Sequence, residues 1–360
     1  MKNNLLYYDI KNEMAEALLE DVKQKYQKDL LSFDIPERWE DATEVEKIIM
    51  YWYSRRGYES KYGKVKIFDC DSSDYAMEKY LSKYEWLNDY VIKGIWGRIF
   101  LVNKYSNEMR LSGETLTSAW VPMKVFANNV LGATIKSKDA AGYRDWINLE
   151  KKHKKLLEDS GIIRFLQAVH TEGNMMPVPV GFNTGRAAGT YALHDQWDLS
   201  LKYIYKFYQY WQEEMSKISK KDFLKKHERF LTGSLWLMFA GTQAYDESYF
   251  SKVKIIAGWL YEFGSWEQFV KANHMFPFLK GYDKAKVKDL KDNESSKYLE
   301  MLSGQPPKPF FDGHFSFETI DDDGKKRGYN LPKDNLEQWT DFFNNCSESI
   351  EERNRLMINI

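Results

Sequence analysis

Residues 197–211, WDLSLKYIYKFYQYW, decide the fold class of this chain. Trp197, Leu201, Ile204, Tyr205, Tyr208 and Trp211 recur at the three- and four-residue steps of an α-helix and make one broad aromatic face. Leaving that face in water is costly, since a large apolar side chain gains about 1.5–3 kcal/mol on full burial. The stretch therefore predicts a helix packed on a core. Asp195 and Asp198 have the spacing of a helix cap at its start.

Working outward, the same period recurs. Met14, Leu18, Val22, Tyr26 and Leu30 step by four, and Asp41 and Glu44 form a capping box ahead of Val45, Ile48, Ile49 and Trp52. Further helices are predicted over Thr115–Leu131, Ala140–Leu157, Phe223–Ala240 and Tyr249–Phe263. Ser265 with Gln268, and Asp334 with Glu337, supply caps for two more, the last carrying Leu336, Trp339, Phe343, Cys346 and Ile350. Only Lys64–Cys70 and Ile95–Val102 read as strands. The expected class is mainly α with a small β element (α+β), a helical domain with one long polar loop. One break stands out, Gly304–Pro332, with Pro306, Pro307, Pro309 and an Asp321-Asp322-Asp323-Gly324 turn. It divides residues 1–305, a single mainly helical domain, from 306–360, a proline-rich connection and a C-terminal helix packed on that domain.

Composition removes several function classes. Lys+Arg is 52 against Asp+Glu at 53, a net charge of −1, so the chain is no polycation and any anion site must be a local patch. Hydrophobic residues at 43% exclude wholesale disorder. Cys70 and Cys346 lie far apart with no CxxC spacing, which builds neither a zinc ribbon nor a disulfide framework and points to a reducing, cytoplasmic setting. The N-terminal Met-Lys-Asn-Asn-Leu-Leu-Tyr-Tyr-Asp places an acid where a signal peptide needs an apolar core. The longest apolar uncharged run, Phe230–Tyr245, falls short of the roughly 20 residues that span a bilayer. No membrane association is expected.

One segment departs from the helical background. His170–Asp198, HTEGNMMPVPVGFNTGRAAGTYALHDQWD, reads as a loop from its Gly and Pro content and is dense in groups that hold or move protons. Met175, Met176, Val178, Val180 and Phe182 would anchor it in a core. The candidate catalytic residues are His170, Asn174 and Asn183, and the candidate substrate-binding residues are Arg186, Thr171 and Asp198. His170 is placed to serve as a general base, and Arg186, between glycines, to grip a phosphate in two-pronged fashion. Each has a structural alternative: a buried histidine, an internal ion pair for Arg186, backbone-binding asparagines and a capping Asp198.

Two resemblances follow from these residues. Leu111-Ser112-Gly113-Glu114-Thr115-Leu116-Thr117-Ser118, the His170–Arg186 segment with Asp195-Gln196-Trp197-Asp198-Leu199, and Ser265-Trp266-Glu267-Gln268-Phe269-Val270 together resemble a group of uncharacterised bacterial proteins, over residues about 111–278. That resemblance implies no established activity. His170-x-x-Gly173-Asn174 with Asn183 is similar to the H-x-x-G-N…N segment of HNH-type nuclease domains in modification-dependent restriction enzymes. This likeness implies a histidine that activates water and a divalent metal such as Mg2+ that steadies the scissile phosphate. The acidic-His-x-x-Pro segment of those domains has no counterpart, the only earlier histidine being His153 in Lys-Lys-His-Lys-Lys.

Other motifs are missing. There is no GxxxxGK[ST] loop and no HExxH, and with Gly324 at the sixth position of an EF-hand loop the twelfth is Asn330 rather than an acid. Basic clusters at Lys151–Lys155, Lys217–Arg229 and Lys280–Lys291 read as solvated helix faces, or as a phosphate-tracking funnel if they converge on the polar loop. Two functions compete. One is a phosphate-ester hydrolase acting on nucleic acid or nucleotide, in a bacterial defence or toxin role. The other is a non-catalytic helical binding protein with a structural polar loop and a protein partner.

Overall fold

The computed structural model describes residues 74–95, 98–106, 109–117, 172–180, 197–228, 247–310 and 336–358, with Phe126, Gly161, Arg164, Phe165, Ala168, Phe182, Phe230 and Leu231. Helix accounts for 62% of the interpretable part and a four-stranded antiparallel sheet for 14%, so the protein is mainly α with a small β element. The expectations for residues 14–70 and for Ala140–Leu157 lie outside the described residues.

The sheet comprises β1 (Tyr90–Ile95), β2 (Arg98–Asn103), β3 (Arg110–Thr115) and β4 (Met175–Pro179), in that spatial order. Helix α1 (Asp74–Lys83) packs against its first three strands. The run 95–102 reads in sequence as one strand, yet Ile95 pairs with Arg98 and the chain doubles back between β1 and β2. Thr115 closes β3 instead of opening a helix, and of the stretch that follows only Phe126 is described as helical.

β4 corrects the loop reading of the polar segment. All five of its residues are buried, and it pairs with β3 from Leu111↔Pro179 to Thr115↔Met175. Two stretches that carry the bacterial resemblance are thus neighbouring strands. Leu116 N donates to Asn174 O and Val180 N to Arg110 O, so the hydrogen-bonded positions alternate through Met176 and Val178. Pro177 and Pro179 fall on the other positions, facing away from β3, where a missing N–H costs no ladder bond. A strand with two prolines looks like a loop in sequence.

The remaining helices are α2 (Trp197–Met215), α3 (Lys220–His227), α4 (Glu247–Phe263), α5 (Trp266–Ala272), α6 (Asn293–Leu302) and α7 (Leu336–Ile358). α2 buries Leu201, Ile204, Phe207 and Tyr208 completely, while Tyr205 and Trp211 are only partly covered. The predicted Phe223–Ala240 helix is interrupted after His227, where Phe230 N turns back to His227 O; Leu231 is again helical, and residues 232–240 lie outside the described residues. Ser265 caps α5 by accepting from Gln268 N, as its spacing implies. α7 lays Trp339, Phe342, Phe343, Cys346, Ile350 and Met357 into the core and rests on the short turns Glu172–Asn174 and Phe276–Phe278.

Candidate functional site

Of the six candidate site residues, Asn174 and Asp198 are described, while His170, Thr171, Asn183 and Arg186 lie outside the described residues. Asn174 is wholly buried at the start of β4. Its Oδ1 accepts from Thr117 N at 2.9 Å and its Nδ2 donates to Thr117 O at 2.9 Å. The β3–β4 ladder has ended by then, and the carboxamide, which carries one donor end and one acceptor end, stands in for the next peptide unit. Gly173 beside it is required by packing. A Cβ there would collide with Ile350 O and lie 2.8 Å from Asn354 N, both on α7. Gly173 and Asn174, two positions that carry the likeness to HNH-type domains, are thus engaged in holding β3, β4 and α7 together.

Asp198, 4% exposed in the first turn of α2, shares a second clamp with Asn345. Phe310 N donates to its Oδ2 at 3.0 Å, and Asn345 Nδ2 donates to Phe310 O at 3.3 Å. The two clamps meet at Cys346. Burial pushes this thiol well above its ordinary range, the Asp198 charge pushes it further, and contact with the Thr117 hydroxyl acts in the opposite sense. Lys308 faces the same thiol, and burial pulls its ammonium below the usual lysine range against the pull of Glu348. The arrangement brings Thr117, Asn174, Asp198 and Cys346 into one buried polar cluster, with Asn345 reaching it from the exposed side of α7. Chemically it favours a protonated, unreactive thiol, since the thiolate is disfavoured by both burial and a neighbouring carboxylate.

Arg353 is the residue that the sequence reading passed over. It is completely buried on α7, with Nε donating to Asn273 O at 3.1 Å and one terminal nitrogen to Gly173 O and Met175 O at 2.8 and 2.9 Å. The other terminal nitrogen reaches Tyr84 Oη at 2.7 Å, and that hydroxyl donates to Met175 O at 3.0 Å. Among the described residues no carboxylate pairs with it. The signal was available: 339, 343, 346, 350, 353 and 357 continue one three-four stripe, so Arg353 falls on the buried seam. Its carbonyl contacts also protect the outer edge of β4, whose Met175 C=O would otherwise be an open sheet edge.

The described basic clusters are accompanied by acids. Lys217 pairs with Glu213, Lys220 with Glu262, Lys226 with Glu214 and Lys284 with Glu348. Lys286 stands over the Tyr298 ring at 5.3 Å. Among the described residues, no group of three His, Cys, Asp or Glu side chains is placed to hold a metal ion, and no helix is long and apolar enough to cross a membrane. No family model matches the chain, and none of the curated proteins or solved structures matches it.

Proposed function

We propose that this chain is a helical interaction protein in which the polar segment His170–Asp198 works as a structural clamp and the helical layer meets a protein partner. The observation that supports this reading most directly is the use of Asn174: both ends of its carboxamide bind the backbone of one residue, at Thr117 N–H and C=O. Asp198 accepts a single bond, from Phe310 N, while Asn345 donates to the Phe310 carbonyl. A partner-facing surface is available elsewhere. Tyr210 is 73% exposed and Phe230 67% exposed. Glu214, one turn after Tyr210, contacts Lys226 and His227, and Phe230 follows His227 by three residues, so both aromatics stand at one end of the α2–α3 pair. Exposed aromatic anchors of this kind carry much of the energy of protein interfaces. Buried, reduced Cys346 accords with a cytoplasmic setting.

Asn174→Ala separates clamp from catalyst. The clamp reading expects a loss of about 2–4 kcal/mol in urea unfolding, because the Thr117 N–H and C=O are left buried without partners. A variant as stable as the parent would sink it.

A second reading, the phosphate-ester hydrolase acting on nucleic acid or nucleotide, draws on one observation. The clamped Gly173–Asn174 backbone lies three residues beyond His170 in sequence, close enough to anchor the segment that carries a general base. In that reading His170 is the base, Arg186 grips the phosphate, Asn183 and Thr171 position it, and a divalent metal such as Mg2+ is required. The parent would cleave an oligonucleotide or bis(p-nitrophenyl) phosphate with Mg2+ or Mn2+, and His170→Ala would abolish this without changing the melting temperature. Absence of cleavage in the parent excludes it.

A further inference from the structure

His274 occupies a backbone position that favours glycine. Its φ is 54°, the one positive value at a non-glycine residue among the described residues. It ends α5 in a Schellman arrangement, with His274 N donating to Lys271 O at 3.2 Å and Met275 N to Val270 O at 2.9 Å. A side chain held in this left-handed region stores strain, and such strain persists where the surroundings use the residue.

The surroundings are specific. The half-buried imidazole lies 6.0 Å from the Tyr84 ring, with Nε2 3.4 Å from Lys83 O. The charged groups acting on it are Arg353 from α7 and Lys83 from α1, both cations. Lys83 Nζ donates to Met357 O near the end of α7, and Tyr84 Oη receives Arg353. On its own element Lys271 is tied to Glu300. The preceding residue supplies the Asn273 carbonyl that Arg353 grips. Every cation that faces the ring also holds α7 in place.

We propose that His274 is an acid-operated latch on the C-terminal helix: with the ring neutral the turn carries the Arg353 clamp, and protonation sets a further cation beside a guanidinium that has no carboxylate among the described residues, so that α7 loosens from β4 and α1. Burial, then Arg353, lower the ring from 6.5 to about 4. The sign follows from linkage. The unfolded or opened state takes up the proton first, so protection is complete above about pH 6.5, declines as pH falls, and stops changing below about 4.

The test is amide hydrogen exchange of the full chain, read on peptides within 336–358 and corrected for intrinsic rates, at pH 7.5, 6, 5 and 4. His274→Asn and His274→Gly are compared with the parent, because both residues tolerate the left-handed backbone and neither titrates. The parent should lose up to about 10²-fold of α7 protection across this range relative to either variant. Equal losses in parent and variants would assign the effect to carboxylates and overturn the latch, as would unchanged α7 protection in the parent at pH 4. If both variants are unfolded at pH 7.5, the ring is a packing element and the latch is likewise overturned.

Discussion

The β4–α7 junction and the helical layer α2–α5 both contribute to the buried core and are held by different physics. In the helical layer, Trp259 meets Phe269 edge-on at 5.7 Å, Tyr205 meets Trp266 at 5.1 Å, and Phe207 meets Tyr208 at 5.5 Å. The Tyr208 hydroxyl is tied simply, to Leu260 O at 2.7 Å, and the buried Trp259 Nε1 has no hydrogen-bond partner among the described residues. Such packing sums many weak contacts and survives the loss of any one in proportion to area. At the junction, four donors of one guanidinium, one carboxamide and one missing Cβ decide whether α7 can approach at all. The comparison shows that burial alone does not rank residues. Replacing Gly173 is therefore expected to cost more than truncating a tryptophan.

Gly173→Ala tests this ranking most severely. The added methyl meets the backbone of α7, which cannot move aside as a flexible side chain can, and a loss of about 3–5 kcal/mol in urea unfolding is expected. A loss below about 1 kcal/mol would show that α7 shifts freely and that the junction is no more exacting than the helical layer.

Trp211→Ala probes the other region. The sequence-based expectation of a largely buried side chain implies about 3–5 kcal/mol, but Trp211 is only partly covered, packing on His227 at 4.5 Å and Phe223 at 5.7 Å. About 1–3 kcal/mol is expected from calorimetric or urea unfolding. A cost equal to that of Gly173→Ala would erase the distinction between the two regions.

The smallest effect belongs to the basic surface. Lys217→Ala removes an exposed pair with Glu213 one helical turn away and should change stability by no more than about 0.5 kcal/mol. A larger change would mean that the α2–α3 ion pairs work as a network.

The legible parts of the molecule are those in which local chemistry and burial agree. The α2 and α4 stripes and the Ser265 cap stand in the structure where periodicity places them. The sequence reading went astray where a tertiary partner sets the backbone. The proline pair that makes Met175–Pro179 look like a loop is compatible with an edge strand once β3 lies on one side only. Asn174 and Asp198 were singled out as polar residues in an unusual segment, and their partners, Thr117 and Phe310, are 57 and 112 residues away. No local pattern can announce a bond of that span. Arg353 shows the reverse case, since its stripe position was readable but its charge argued for the surface.

The amino-acid sequence by itself determined that this chain is mainly helical with a small β element, because helical periodicity and caps act within a few residues. It also determined the near-neutral charge and the aromatic character of the core. Only the tertiary structure decided that β3 and β4 are neighbours, that Gly173 must lack a side chain and that a buried arginine joins α7 to the sheet edge. Those facts depend on which distant peptide groups lie within about 3 Å of one another, and hydrogen bonding at that range is set by the whole packed chain.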